Sequence, residues 1–203
     1  MPSFLSYDVE KEVFFMTNEN KKTNRTALFG STRVLVACAV FIAMSIAFGK
    51  LLAFNLGSSI RISFENLPVL MAGILFGPLA GAAVGAGADI IGCIMVGYSI
   101  NPVITAACAG IGAVSGLMYR YVMKDRSQII RLAFSVGTAH IICSMIIKSI
   151  GLYLWYHTQL QILVLRIPLY TCIGLVEGII IYQLIRSRAF MEQLERLSGN
   201  DRE

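Results

Sequence analysis

Charge is what this chain has least of. Asp, Glu, Lys and Arg make up 14% of its 203 residues, against about 25% in an ordinary soluble domain. Long stretches carry none, while 56% of residues are apolar and mean hydropathy is +0.70. That leaves little room for a soluble domain and reads as an integral membrane protein. Thiol and metal chemistry are equally thin. Cys38, Cys93, Cys108, Cys143 and Cys172 each lie in an apolar run and form no CxxC or CxxxC pair, so neither a disulfide framework nor a zinc site is expected. They read as small helix-packing residues. There is no GxxxxGK(S/T) phosphate loop and no HExxH. "GAAVGAGAD" imitates a glycine fingerprint, but position 90 is Ile and no strand is expected before it. Ser144 and His140 share a helix without an evident acidic orienter. No enzyme chemistry, no cofactor and no metal site is expected. The paired broken-helix halves of many secondary transporters are missing too.

What the chain does have is hydrophobic length. Six segments can be marked, at about Thr32 to Phe54, Leu67 to Phe76, Leu79 to Val96, Pro102 to Met123, Ile129 to Trp155 and Ile162 to Ile185. A spanning helix needs about 20 residues. The second segment is shorter, unless it starts in the irregular stretch before it, and it stops at Gly77-Pro78. The expected fold is an all-α membrane protein with six transmembrane helices over residues 32–186, flanked by tails at 1–31 and 187–203. Residues Met1 to Asn24 mix Asp8, Glu10, Lys11, Glu12 and Glu19 with aromatics. This is not the basic start and apolar block of a signal peptide, and a cytoplasmic tail is expected instead.

Basic residues fix an orientation. Lys21, Lys22, Arg25 and Arg33, then Arg120, Lys124, Arg126 and Arg131, then Arg186, Arg188 and Arg196 fall on one side, whereas Lys50 and Arg61 stand alone in loops on the other. The positive-inside rule then places both termini in the cytoplasm. The net charge of +5 follows from topology, and nucleic acid is not an expected partner.

The remaining polar residues fall on helical stripes. On the fifth segment His140, Ser144, Lys148, Gly151 and Trp155 share one face; on the sixth Arg166, Tyr170, Gly174 and Glu177 do. Asn101, Thr105, Cys108, Gly112 and Ser115 make a third stripe, and Gly81, Gly85, Asp89 and Gly92 a fourth. Converging stripes, with Lys148, Arg166, Asn101, Tyr98 and Tyr153 toward the outer end, describe a polar cavity open to the outside and narrowing inward. Each residue also has a plainer reading. Lys148 and Arg166 could snorkel to the interface. Tyr153 and Trp155 suit an aromatic belt as well as a ligand platform. His140 and Glu177 form a structural pair or a proton relay, and Asp89 joins helices or binds ligand. The glycines let helices approach or let a ligand in.

Two features stand apart. Ala39, Ala43 and Ala47 form a small-residue strip on the first helix, suited to another helix of the bundle or of a separate protein. "RISFENLPVL" opens with period-two alternation over Ile60 to Phe64, so an extended segment is expected there. Pro68 then suits the first turn of the second helix, capped by Glu65 or Asn66. Arg61, Ser63 and Asn66 could reach a ligand from this segment, because non-helical backbone is tolerated at membrane depth where it lines a cavity.

"RISFENLPVLMAGILFGPLAGAAVGAGADIIG", "GYSINPVIT", "AHIICSMIIKSIGLYLWY" and "LRIPLYTCIGLVEGIIIY" together resemble the substrate-binding S component of energy-coupling factor (ECF) vitamin transporters, and the folate-specific branch most closely. The resemblance covers about Arg33 to Arg186. It implies capture of a vitamin outside the cell membrane, and partnership with a transmembrane coupling protein and two cytoplasmic ATPases. It also implies that Ala39 and Ala43, extended by Ala47, dock to the coupling protein. Folate suits the cavity: its pterin matches Asn or carboxylate groups, its rings match Tyr and Trp, and its two tail carboxylates match Lys148, Arg166 and Arg61. The alternatives are another vitamin (riboflavin, thiamine, pantothenate or biotin) or a standalone transporter using His140, Glu177 and Asp89 as a proton path.

Overall fold

The computed structural model describes residues 32–50, 53–56, 60–156, 160–187, 190 and 192. The expected tail at 1–31 and nearly all of that at 187–203 lie outside them, as do residues 57–59. Helix α1 is Thr32–Lys50, followed by strands β1, Phe54–Leu56, and β2, Ile60–Ile62. Helices α2, Asn66–Phe76, α3, Pro78–Val96, and α4, Pro102–Leu117, come next, the last continuing as a π-helical turn over Met118–Val122. One long rod then combines α5, Gln128–Ala139, a π-helical stretch His140–Ile147, and α6, Lys148–Tyr156. Helix α7, Leu160–Arg186, closes the order.

The expected segments therefore appear as helical rods, with limits close to those read from hydropathy. Among the described residues, four rods are long and apolar enough to cross a membrane: Pro78–Val96, Pro102–Val122, Gln128–Trp155 and Val164–Arg186. The apolar part of α1, Val34–Lys50, and α2 are shorter. Hydropathy carries the first segment to Phe54, but α1 stops at Lys50 and the chain turns into a small antiparallel hairpin. There Phe54 pairs with Ile62, Asn55 with Arg61 and Leu56 with Ile60. The extended backbone expected from Ile60 is present, but it is a paired strand.

Helix α2 is the heart of the bundle. Its eleven residues span about 16 Å at 1.5 Å per residue, and every one of them is buried. It can be hydrophobic all round because α1, α3 and α4 pack on it from several sides. Backbone-to-backbone approach makes this possible: a Cβ on Gly81 would stand 2.5 Å from the Gly112 carbonyl oxygen, so neither α3 nor α4 tolerates a side chain there. Gly77, with φ of 103°, turns the chain between α2 and α3, and Pro78 starts the next helix. The outer surface carries large apolar side chains such as Ile94, Met95, Leu175 and Ile179, each more than 60% exposed, as a lipid-facing surface requires.

The two ends of α2 carry different chemistry. At its C-terminal end Arg120 donates through Nη2 to the Leu75 carbonyl, and Arg131 donates through Nη2 to the Tyr119 carbonyl at 2.9 Å. Arg131 also lies 4.3 Å over the Tyr119 ring. Both arginines are buried. Two residues that count toward the basic side thus also clasp α2, α4 and α5 together. The N-terminal end of α2 holds the recess described next.

Candidate ligand-binding site

A small polar recess opens where α1, α2, α3 and α4 meet, beside the turn between β2 and α2. Its lining includes Ser45, Gly49 and Lys50 from α1, Glu65 and Asn66 at the start of α2, Asp89 and Cys93 from α3, and Cys108 from α4. An apolar bundle would not collect these groups by hydrophobic burial alone, since each must find a partner or remain near water. The partners are specific. Thr105 donates through Oγ1 to Asp89 Oδ2 at 2.6 Å, and Cys108 Sγ lies 3.7 Å from Asp89 Oδ1. Ser45 donates through Oγ to the Glu65 carbonyl at 2.6 Å. Lys148, reaching from α6, donates through Nζ to Glu65 Oε1 at 2.9 Å.

This last pair organises the recess. The Lys148 side chain is 9% exposed and that of Glu65 31%, so the carboxylate stands between the ammonium and the opening. Gly49 matters here: a Cβ at that position would come within 3.0 Å of Glu65 Oε2, so a bare α1 backbone lets the carboxylate lie against it. The recess has a volume of about 60 Å³, well below the roughly 300–1,000 Å³ of small-molecule sites. A molecule of vitamin size enters only if its walls move. Two larger grooves, of about 520 and 350 Å³, have almost wholly apolar walls, with no lysine, arginine, aspartate or glutamate in their lining.

Of the residues singled out from sequence, Asn66 and Asp89 line the recess and Lys148 stands behind Glu65. Ser63 is buried just before it in the chain. Tyr98 lies nearby with Lys50 Nζ 5.4 Å from its ring centre. Arg61 is held through its backbone, which pairs in β2. Asn101 plays a structural part. Its Oδ1 caps α4 by accepting from the Val103 and Ile104 amides, and its Nδ2 donates to the Gly151 carbonyl. Arg166 stacks on Tyr170 at 4.9 Å, and the Tyr170 ring lies 6.4 Å from that of His140. Tyr153 and Trp155 are half-exposed on α6 and do not line the recess.

The stripe drawn from His140 to Trp155 needs correction. His140, Ser144 and Lys148 are all buried, but Trp155 is 55% exposed. Gly151 is buried as well, so the face runs unbroken from His140 through the π-helical stretch to Gly151, and only Trp155, near the end of α6, leaves it. Glu65 stands at the N-cap of α2 yet makes no side-chain capping bond; its carboxylate goes to Lys148 instead. Glu65, Lys50, Ser45, Gly49 and Cys93 are recess residues that the sequence placed on no cavity stripe and in no ligand role, whereas Cys108 lies on the Asn101 stripe as expected. Ser45 and Gly49 were findable, being one turn apart on the face of α1 opposite the alanine strip. On that strip Ala39 and Ala43 are exposed and Ala47 half-buried, with exposed Leu35, Val36, Val40 and Met44 around them. His140 Nε2 and Glu177 Oε2 are 2.7 Å apart and both residues are buried.

Comparisons with known proteins agree with this architecture. The family model for the S component of the ECF-type riboflavin transporter matches residues 29–188. A folate transporter, FolT, of Clostridium novyi (strain NT) is 24% identical over 157 residues, which cover 73% of this chain and 86% of that protein. A crystal structure of FolT bound with folic acid superposes with a TM-score of 0.64 at 24% identity, covering 79% of this chain and 98% of the other. The S component of a bacterial ECF transporter superposes with a TM-score of 0.59 at 22% identity, covering 75% and 93%. The chain is a multi-pass membrane protein that belongs to the family of ECF-type riboflavin transporter S components.

Proposed function

We propose that this chain is the folate-capturing S component of an ECF-type importer, binding the vitamin outside with high affinity and performing no chemistry itself. The observation that carries this reading is the polar recess at one end of α2, with Lys148 and Lys50 close to Asp89 and Asn66 in an otherwise apolar bundle. Folate offers complementary groups: hydrogen-bonding edges on the pterin and two carboxylates on the tail. The folic acid named with the solved FolT relative supports the same choice. The chain then crosses the membrane six times, with both termini cytoplasmic and the recess facing outward. The arginine-bearing end of the bundle supports that orientation.

Lys148 and Arg166 receive the tail carboxylates, assisted by Arg61. Asn66, Asp89 and Ser63 serve the pterin side, and Tyr98, Tyr153, Trp155 and Tyr170 supply aromatic faces. Asn101 holds the start of α4 in place beside them. The exposed Ala39 and Ala43, with Ala47, form the docking strip for the transmembrane coupling protein, which two cytoplasmic ATPases drive. A thermal-shift panel tests the ligand. Folate raises the melting temperature of the purified chain, while riboflavin, thiamine, biotin and pantothenate leave it unchanged. A shift with one of those four and none with folate transfers the reading to that vitamin.

A further inference from the structure

We infer that Glu65 is a built-in competitor for the ligand's carboxylate: it occupies Lys148 in the empty protein, and an incoming anion displaces it, opening the recess. The inference rests on the proposed capture of a carboxylate-bearing vitamin at this site. Three observations lead to it. Glu65 Oε1 accepts from Lys148 Nζ at 2.9 Å, and Glu65, not Lys148, lines the recess. An anion approaching from the opening therefore meets a carboxylate before it meets the ammonium. Charge in the recess is already balanced, Lys50 and Lys148 against Glu65 and Asp89. A further carboxylate makes it net negative unless one leaves, and like charges gathered at one site repel. Asp89 is held by Thr105 and Cys108 within α3 and α4, whereas Glu65 sits at the joint between β2 and α2. Of the two carboxylates, Glu65 is the one that a movement of this joint carries away.

Volume gives the displacement its consequence. The recess of about 60 Å³ cannot take a vitamin, so binding requires a wall to move. The bond from Lys148 to Glu65 is charge-assisted and ties that wall residue to α6. The Ser45 hydroxyl on the Glu65 carbonyl is a neutral bond, of the kind that contributes less. Exchange of Glu65 for a ligand carboxylate on Lys148 thus removes a strong bond from the wall residue while keeping the lysine paired. A neutral ligand has no such exchange to offer. It must break the pair and leave both charges unserved, which is costly in a partly buried site. Selectivity for anionic ligands comes from this competition as well as from attraction.

The experiment compares Glu65→Gln and Lys148→Met with the unaltered chain, in detergent. It reads the affinities for folate and for pterin, which lacks the tail carboxylates, and the thiol-labelling rates of Cys108 and Cys172 without ligand. Glu65→Gln is expected to tighten folate binding about three- to tenfold, to change pterin binding less, and to speed labelling of the recess thiol Cys108. Labelling of the exposed Cys172 stays unchanged. Lys148→Met is expected to speed Cys108 labelling too, but to weaken folate binding. A purely structural ion pair would lower folate affinity from both sides, and that result overturns the inference, as does unchanged Cys108 labelling. Should Glu65→Gln not fold, Glu65→Asp gives the same labelling test with the charge on a shorter stem. If the unaltered chain binds no folate, the proposed function fails, while the labelling comparison still decides whether Glu65 closes the recess.

Discussion

His140 Nε2 meets Glu177 Oε2 at 2.7 Å, tying the long rod of α5 and α6 to α7 where both side chains are buried. Gly174 keeps the space for it: a Cβ there would come within 3.1 Å of the imidazole Cδ2. Removing one member of a buried pair leaves the other without its partner, at a cost of about 3–5 kcal/mol. His140→Leu is therefore expected to lower stability by that order, seen as a reduced melting temperature in detergent. Preference among vitamins should not change. A variant with normal stability but lost binding would move His140 into the ligand site.

Arg166 lies over Tyr170 at 4.9 Å on α7, away from the recess lining. If it receives a tail carboxylate, Arg166→Ala should weaken binding of glutamate-tailed folates about tenfold or more and that of pterin much less. Titration of both ligands checks this. Equal losses would leave Arg166 with a role in stability alone.

The alanine strip separates capture from transport. Ala39 and Ala43 are exposed on α1, while Ser45 and Gly49 face the recess. Ala43→Trp should leave folate affinity within about twofold, a surface substitution touching no ligand group. It should abolish ATP-dependent uptake when the coupling protein and ATPases are co-expressed. Uptake that persists would place the partner on another face, and accumulation by proteoliposomes holding this chain alone would favour a gradient-driven carrier.

Close backbone contact carries the central packing. Gly81 on α3 faces the Gly112 carbonyl on α4, so Gly81→Leu must push the two helices apart. Overpacking of a close-packed interior costs about 1–3 kcal/mol or more, and this variant should show a lowered melting temperature or fail to fold. An unchanged melting temperature would mean that the helices do not pack this closely.

Much of this is legible in the sequence because hydropathy and small-residue spacing are one-dimensional signals. The rods from Pro78 to Val96 and from Pro102 to Val122 follow from apolar runs bounded by Gly and Pro, and the Asn101 stripe from its helical period. The His140–Glu177 pair is readable because both residues are costly in an apolar run unless paired. Two things are hidden. The π-helical stretch His140–Ile147 has no reliable sequence mark. Glu65 reads as a cap because capping is local, whereas its bond to Lys148 spans 83 positions and depends on how α2 and α6 meet.

Capture of folate by this chain alone, in the polar recess, is decided by isothermal titration of the purified chain with folate, without ATP or partner proteins. Saturable binding of one folate per chain is expected, lost or strongly weakened by Lys148→Met. No heat with folate or its reduced forms, alongside saturable binding of riboflavin, would contradict it.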